Sequence, residues 1–144
     1  MPTGSHIRLL LWKAGRAIER IDRASIDDTG LHLSDFTIME ALLHKGPLPI
    51  NTIGDKVLLT SGSMTAAVNR LASKGFVMRI QDPADGRCWY VHLTKQGAKV
   101  IKKAYARHAL NLETVAEVLT EKERNELARL LKKIGRHAET IQIT

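Results

Sequence analysis

The sequence has one cysteine, Cys88, four prolines and no long uncharged apolar run. A single cysteine excludes a disulfide framework or a thiolate zinc site within one chain. Cys88 is therefore read as a strand residue, with a redox switch as the alternative. The scarcity of proline, with 44% hydrophobic and 26% charged residues, excludes a disordered chain. Leu9-Leu10-Leu11 is too short and too punctuated by charge for a signal peptide or membrane span, so a cytoplasmic protein without a membrane partner is expected.

Chemical motifs are missing too. There is no Gly-x-Ser-x-Gly elbow, no glycine-rich phosphate loop and no His-Glu-x-x-His site. Ser61-Gly62-Ser63 has no histidine or aspartate in a recognisable triad relation to it. An enzyme is not expected, and no catalytic residue or cofactor is assigned. The six histidines, His6, His32, His44, His92, His108 and His137, lack helical ligand spacing. No metal site is assigned, although a fold could still gather His44 and His108.

What is present is a basic, asymmetric chain of one domain's length, 144 residues. Of the net charge of +7, +6 lies between residues 60 and 103, where eight basic residues meet only Asp82 and Asp85. A polyanion is the natural partner of such a field.

The region 50–94 organises the rest. Ile50, Ile53 and Val57 fall on one helical stripe behind Pro49, which opens the helix. Met64, Ala67, Val68 and Leu71 form a second stripe, entered through Thr60 and Ser61 as N-cap candidates and ended by Gly75. The other face of this second helix carries Ser61, Ser63, Thr65, Ala66, Asn69, Arg70 and Ser73. It is short and polar, and fits closely into a major groove better than a solvated Lys/Glu face would.

Residues 76–81 and 88–93 alternate as two strands around Asp-Pro and Asp-Gly turn signals. The unit is a winged helix-turn-helix, with recognition helix 61–74 and wing 82–87. Arg87 at the wing is placed to enter a minor groove; its plainer role is a solvated pair with Asp85.

Residues 54–97 resemble the MarR (multiple antibiotic resistance regulator) family of bacterial transcription factors. The resemblance rests on Arg70-Leu71, Lys74-Gly75, Asp85-x-Arg87, and Leu93-Thr94 followed by Gly97. The order of helices in the flanks fits as well. One departure is Gly86, where family wings often carry a second basic residue. The hydroperoxide-sensing branch keeps its reactive cysteine in the first helix, where this chain has none, so that activity is not carried over.

In the flanks, Ile7, Leu10, Leu11, Ala14, Ile18 and Ile21 make a first helical stripe. Ser34 is expected to cap a helix with Phe36, Met39, Leu42 and Leu43, stopped at Gly46-Pro47. Thr94 should cap a helix over 95–119. Thr120 and Glu123 have capping-box spacing before a last helix with Leu127, Leu130, Leu131, Ile134, Ala138 and Ile141. These stripes exceed what one small winged unit buries, and a monomeric bundle is less expected than a homodimer.

The expected fold is therefore mainly α (α+β). A winged helix-turn-helix spans 34–94, and a helical dimerisation region is built from 7–33 and 95–144. The expected function is a sequence-specific, ligand-responsive homodimeric repressor on a pseudo-palindromic operator in double-stranded DNA. Its alternative is a non-specific architectural or RNA-binding winged-helix protein. Ser63, Thr65, Ala66, Asn69 and Arg70 would read bases or nearby phosphates, Arg87 (beside Asp85) the minor groove, and Ser61, Lys74 and Arg79 the backbone. The family resemblance implies an effector between the dimer helices and the DNA-binding unit. Trp12, Arg16, Phe36, Met39, His44, Tyr105 and His108 are candidates to hold a small aromatic or phenolic anion there.

Overall fold

In a computed structural model, which describes residues 1–57 and 61–143, the chain runs α1 (Gly4–Asp27), α2 (Leu33–Lys45), β1 (Leu48–Pro49), α3 (Ile50–Val57) and α4 (Ser61–Ser73). It continues through β2 (Val77–Gln81), β3 (Trp89–Leu93), α5 (Lys95–Ala116) and α6 (Glu121–Thr140). This is the mainly helical winged helix-turn-helix expected. Thr60 and the side chains of Val57 and Ser61 lie outside the described residues.

One core holds the unit together. Phe36, Ile38, Met39 and Leu42 of α2 pack with Ile53 of α3, with Met64, Ala67, Val68 and Leu71 of α4, with Val77 and Val91 of the sheet, and with Ile101 of α5. The apolar stripe of α4 is thus the buried one, which leaves its polar face outward. Gly75 at φ +78° ends α4 in the left-handed conformation that glycine adopts without strain. The next residues then enter the sheet, in strand order β1-β3-β2 with both pairings antiparallel.

The helix expected over 95–119 ends at Ala116, and two helix starts differ from expectation. Pro49 does not open α3 as its first residue; it closes β1 and pairs with Tyr90. Proline is tolerated there because β1 is an edge strand, with one side free of ladder bonds. Ser34 does not cap α2. The helix begins two residues earlier, with His32 at the N-cap making no side-chain cap bond, and the Ser34 hydroxyl accepts from Arg70 instead.

The junction between wing and α5 is tightly specified. The Thr94 hydroxyl accepts from the Gly97 amide at 3.0 Å and donates to the Gly75 carbonyl at 2.6 Å, joining the end of α4 to the start of α5. Thr94→Ala removes both bonds. We expect a loss of about 1–2 kcal/mol in denaturant unfolding, at or above the usual value of a cap.

At the far end, Thr120 and Glu123 form the expected reciprocal capping box of α6. No residue of α6 is buried. Its Leu127, Leu130, Leu131 and Ile134 remain 40–45% exposed, and Ile7, Leu10, Leu11 and Ile18 of α1 are exposed too. Among the described residues, no helix is long and apolar enough to cross a membrane.

Candidate nucleic-acid interface

The outward face of α4 presents Ser63, Thr65, Ala66 and Asn69, all exposed. Burial of Met64, Ala67, Val68 and Leu71 on the opposite side fixes this orientation. Asn69 is held in place: its side-chain oxygen accepts from an Arg79 guanidinium nitrogen on β2, so α4 and the sheet are stitched together at the surface.

Arg70 is where the expected reading needs correction. It does not share the outward face with Asn69. It is half-buried and turned inward, with Nη2 at 2.6 Å and Nε at 3.2 Å from Oδ1 of Asp35, and Nη2 at 3.1 Å from the Ser34 hydroxyl. Lys74, one turn further on, reaches Oδ2 of the same carboxylate at 3.4 Å. The hydrogen bonds to Asp35 raise the Arg70 pKa further above its ordinary value, so the guanidinium stays charged. Asp35 is wholly buried, and sequence reasoning missed it. The available signal was an acidic residue on the apolar stripe of α2, four residues before Met39 and seven before Leu42.

The wing is a short, internally bonded hairpin. Asp82 accepts from the Ala84 amide, Asp85 from the Arg87 amide, and the Gln81 side chain donates to the Gly86 carbonyl. The Asp82 amide donates to the Cys88 carbonyl and the Cys88 amide to the Asp85 carbonyl, closing the loop. These bonds hold the tip backbone and leave the Arg87 side chain 93% exposed, in a loose pair with Asp85 at 3.3 Å.

Chain geometry thus places a polar helix face and a projecting arginine on one unit. The MarR family model matches residues 31–89. The HTH-type transcriptional regulator YkoM of Bacillus subtilis is 36% identical over 127 residues, covering 86% of this chain and 82% of that protein. The chain belongs to the MarR family. It is a DNA-binding transcriptional regulator. The fold also matches a cysteine-to-serine variant of MarR from E. coli in complex with operator DNA, with a TM-score of 0.75, 22% identity, and coverage of 89% of this chain and 92% of that one. A second solved structure, BpsR of Bordetella bronchiseptica, concerns regulation of DNA binding by 6-hydroxynicotinic acid. It matches with a TM-score of 0.75 at 22% identity, over 90% of this chain and 98% of that one.

The residues considered for a MarR-type effector separate into three places. Trp12 and Arg16 are exposed on α1, with the guanidinium carbon 5.4 Å from the indole centroid. His44 of α2 meets Tyr105 of α5 edge to face at 4.7 Å. Phe36 and Met39 have no exposed surface, so they are core and do not line an open crevice. His108 is also buried: its edge-to-face contact with Phe36 is 4.9 Å, and its ring nitrogens meet the Ser25 hydroxyl at 3.0 Å and Asp22 at 3.1 Å. His44 and His108 thus have different partners, and among the described residues no group of three potential ligands could hold a metal.

Proposed function

We propose that this MarR-family regulator is a cytoplasmic homodimeric repressor that reads a pseudo-palindromic operator and is released by a small aromatic effector. The observation that carries the dimer is α6, a helix of 20 residues with an apolar stripe and no buried side chain. Leaving such a stripe in water forfeits roughly 1 kcal/mol for each of these partly covered large side chains that a partner would bury. Together with the exposed apolar residues of α1, it supports a seam formed with a second copy of the chain. The division of labour is then 34–94 for DNA and 7–33 with 95–144 for assembly.

Two copies related by a two-fold axis present their recognition helices to successive major grooves, about 10–10.5 base pairs apart. Ser63, Thr65, Ala66 and Asn69 face the bases, and Arg87 faces the minor groove. Ser61 and Arg79 serve the backbone. The effector reading rests on Trp12 and Arg16, an aromatic face with a neighbouring cation suited to a hydroxylated aromatic acid. A carboxylate and ring of that kind are what the 6-hydroxynicotinic acid of BpsR would supply.

Selection of bound duplexes from a random pool, followed by salt titration against scrambled DNA, tests the reading. An inverted repeat with half-sites near one helical turn is expected; salt-sensitive binding to every duplex would instead mark an architectural protein. On the selected operator, Asn69→Ala should cost about 1–3 kcal/mol of discrimination. Arg87→Ala should weaken binding to selected and scrambled duplexes alike and lower the salt slope by about one. Equal losses on all duplexes for Asn69→Ala would sink its assignment as a base reader.

A further inference from the structure

A buried polar cluster lies behind the outward face of α4. Asp35 has zero exposure, yet it sits in the first turn of α2, where the free amides and dipole of the helix favour a negative charge. It is met by two cations four residues apart, Arg70 in the last turn of α4 and Lys74 just past its end. Ser34, its neighbour, takes a further bond from Arg70. No buried side-chain nitrogen or oxygen among the described residues lacks a partner, so the cluster is fully satisfied.

We propose that Asp35 is a positioning residue for sequence recognition, which fixes the rotation and height of the recognition helix through Arg70 and Lys74 without touching DNA. The proposal rests on the reading of α4 as the helix that reads bases. A single contact allows a helix to roll about its axis. Two contacts one turn apart, converging on one immobile carboxylate, do not. With side-chain tips roughly 5–6 Å from the helix axis, a roll of 10° moves them by about 1 Å. That displacement takes a hydrogen bond out of its useful range, whereas phosphate attraction falls off slowly with distance. Loss of the clamp should therefore erase discrimination between sequences while leaving general DNA affinity nearly intact. Arg70 acts here through Asp35 and is not itself a reader of bases.

A double-mutant cycle on the full-length protein decides the matter. Asp35→Asn keeps the size of the side chain, removes the charge and turns one acceptor oxygen into a donor; Arg70→Gln removes the charge and the donor fork from the other side. Affinity is measured for the selected operator and for its scramble, with circular dichroism and sedimentation as controls for fold and assembly. Either single variant should lose about 10- to 100-fold on the operator and less than about threefold on the scramble. The double variant should lose no more than the singles, because one clamp is being removed. Arg70→Lys, which retains charge but not the fork, provides a milder version that reports the same ratio if the neutral variants do not fold.

An unchanged ratio of operator to scramble affinity in a folded Asp35→Asn chain would overturn the proposal and leave the cluster a stabilising one. So would additive losses with the larger share at Arg70, since they would make Arg70 a direct reader. A wild-type chain without any preference for its selected site would refute the base-reading helix itself, and the clamp with it.

Discussion

Leu131→Asp should turn the protein into a monomer at micromolar concentration and lower operator affinity by at least about a hundredfold, the range lost when two linked binding events become one. Leu131 lies in the middle of the α6 stripe, flanked by Leu127, Leu130 and Ile134. A carboxylate there must either leave water without a partner or keep the seam open, and the second costs less. Within one chain the substitution disturbs nothing, because no α6 residue is buried. The folded winged unit should therefore survive with an unchanged circular dichroism spectrum. Sedimentation velocity and operator titration measure the two effects; a Leu131→Asp dimer that binds like wild type would remove α6 from the interface.

Gly97→Ala is the second large effect, and it acts on the fold. Gly97 is in the first turn of α5, and a Cβ there would collide with the backbone carbonyl of Phe76 and come within 3.0 Å of its Cα. Neither atom can swing aside as a flexible side chain would. The chain between α4 and β2 would have to move, taking with it the Thr94 bonds that join α4 to α5. The loss should reach or exceed the upper end of the roughly 1–3 kcal/mol typical of overpacking. For a chain of this length that corresponds to a fall of about 6–12 °C in melting temperature. A Gly97→Ala protein that melts within a degree of wild type would show that the junction relaxes freely.

Local chemistry accounts for what could be read from the sequence. Thr94, Thr120 with Glu123, Gly46 and Gly75 each mark a helix end through bonds or dihedrals within a few residues, and each occurs where expected. The apolar spacing of Met64, Ala67, Val68 and Leu71 likewise announces the buried side of α4. Features that depend on distant partners were not legible. Arg70 meets a carboxylate 35 positions earlier, so its inward turn has no signature in its own helix. The two residues of β1 are too few for any period, and Pro49 carries a helix-opening signal that β3 overrides. Phe36 and Met39 suggest an aromatic crevice by type, but their burial is set by α4 and α5 together.

The attachment of α1 has a mechanical consequence. Every residue from 4 to 20 is exposed, and burial begins only at Ser25 and Ile26. There, Ser25 bonds to His108 and Asn111, and Asp22 meets the same histidine, all on α5. The helix is thus a lever pinned at one end. With a rise of 1.5 Å per residue the free arm is about 25 Å long, and a tilt of 5° at the pin sweeps its tip through about 2 Å. No core side chain has to repack for that swing. In the proposed dimer, a ligand lodged against Trp12 and Arg16 would push on the middle of the arm, about 14–20 Å from the pin at Ser25. The spacing of the two winged units could then change while each unit stays rigid.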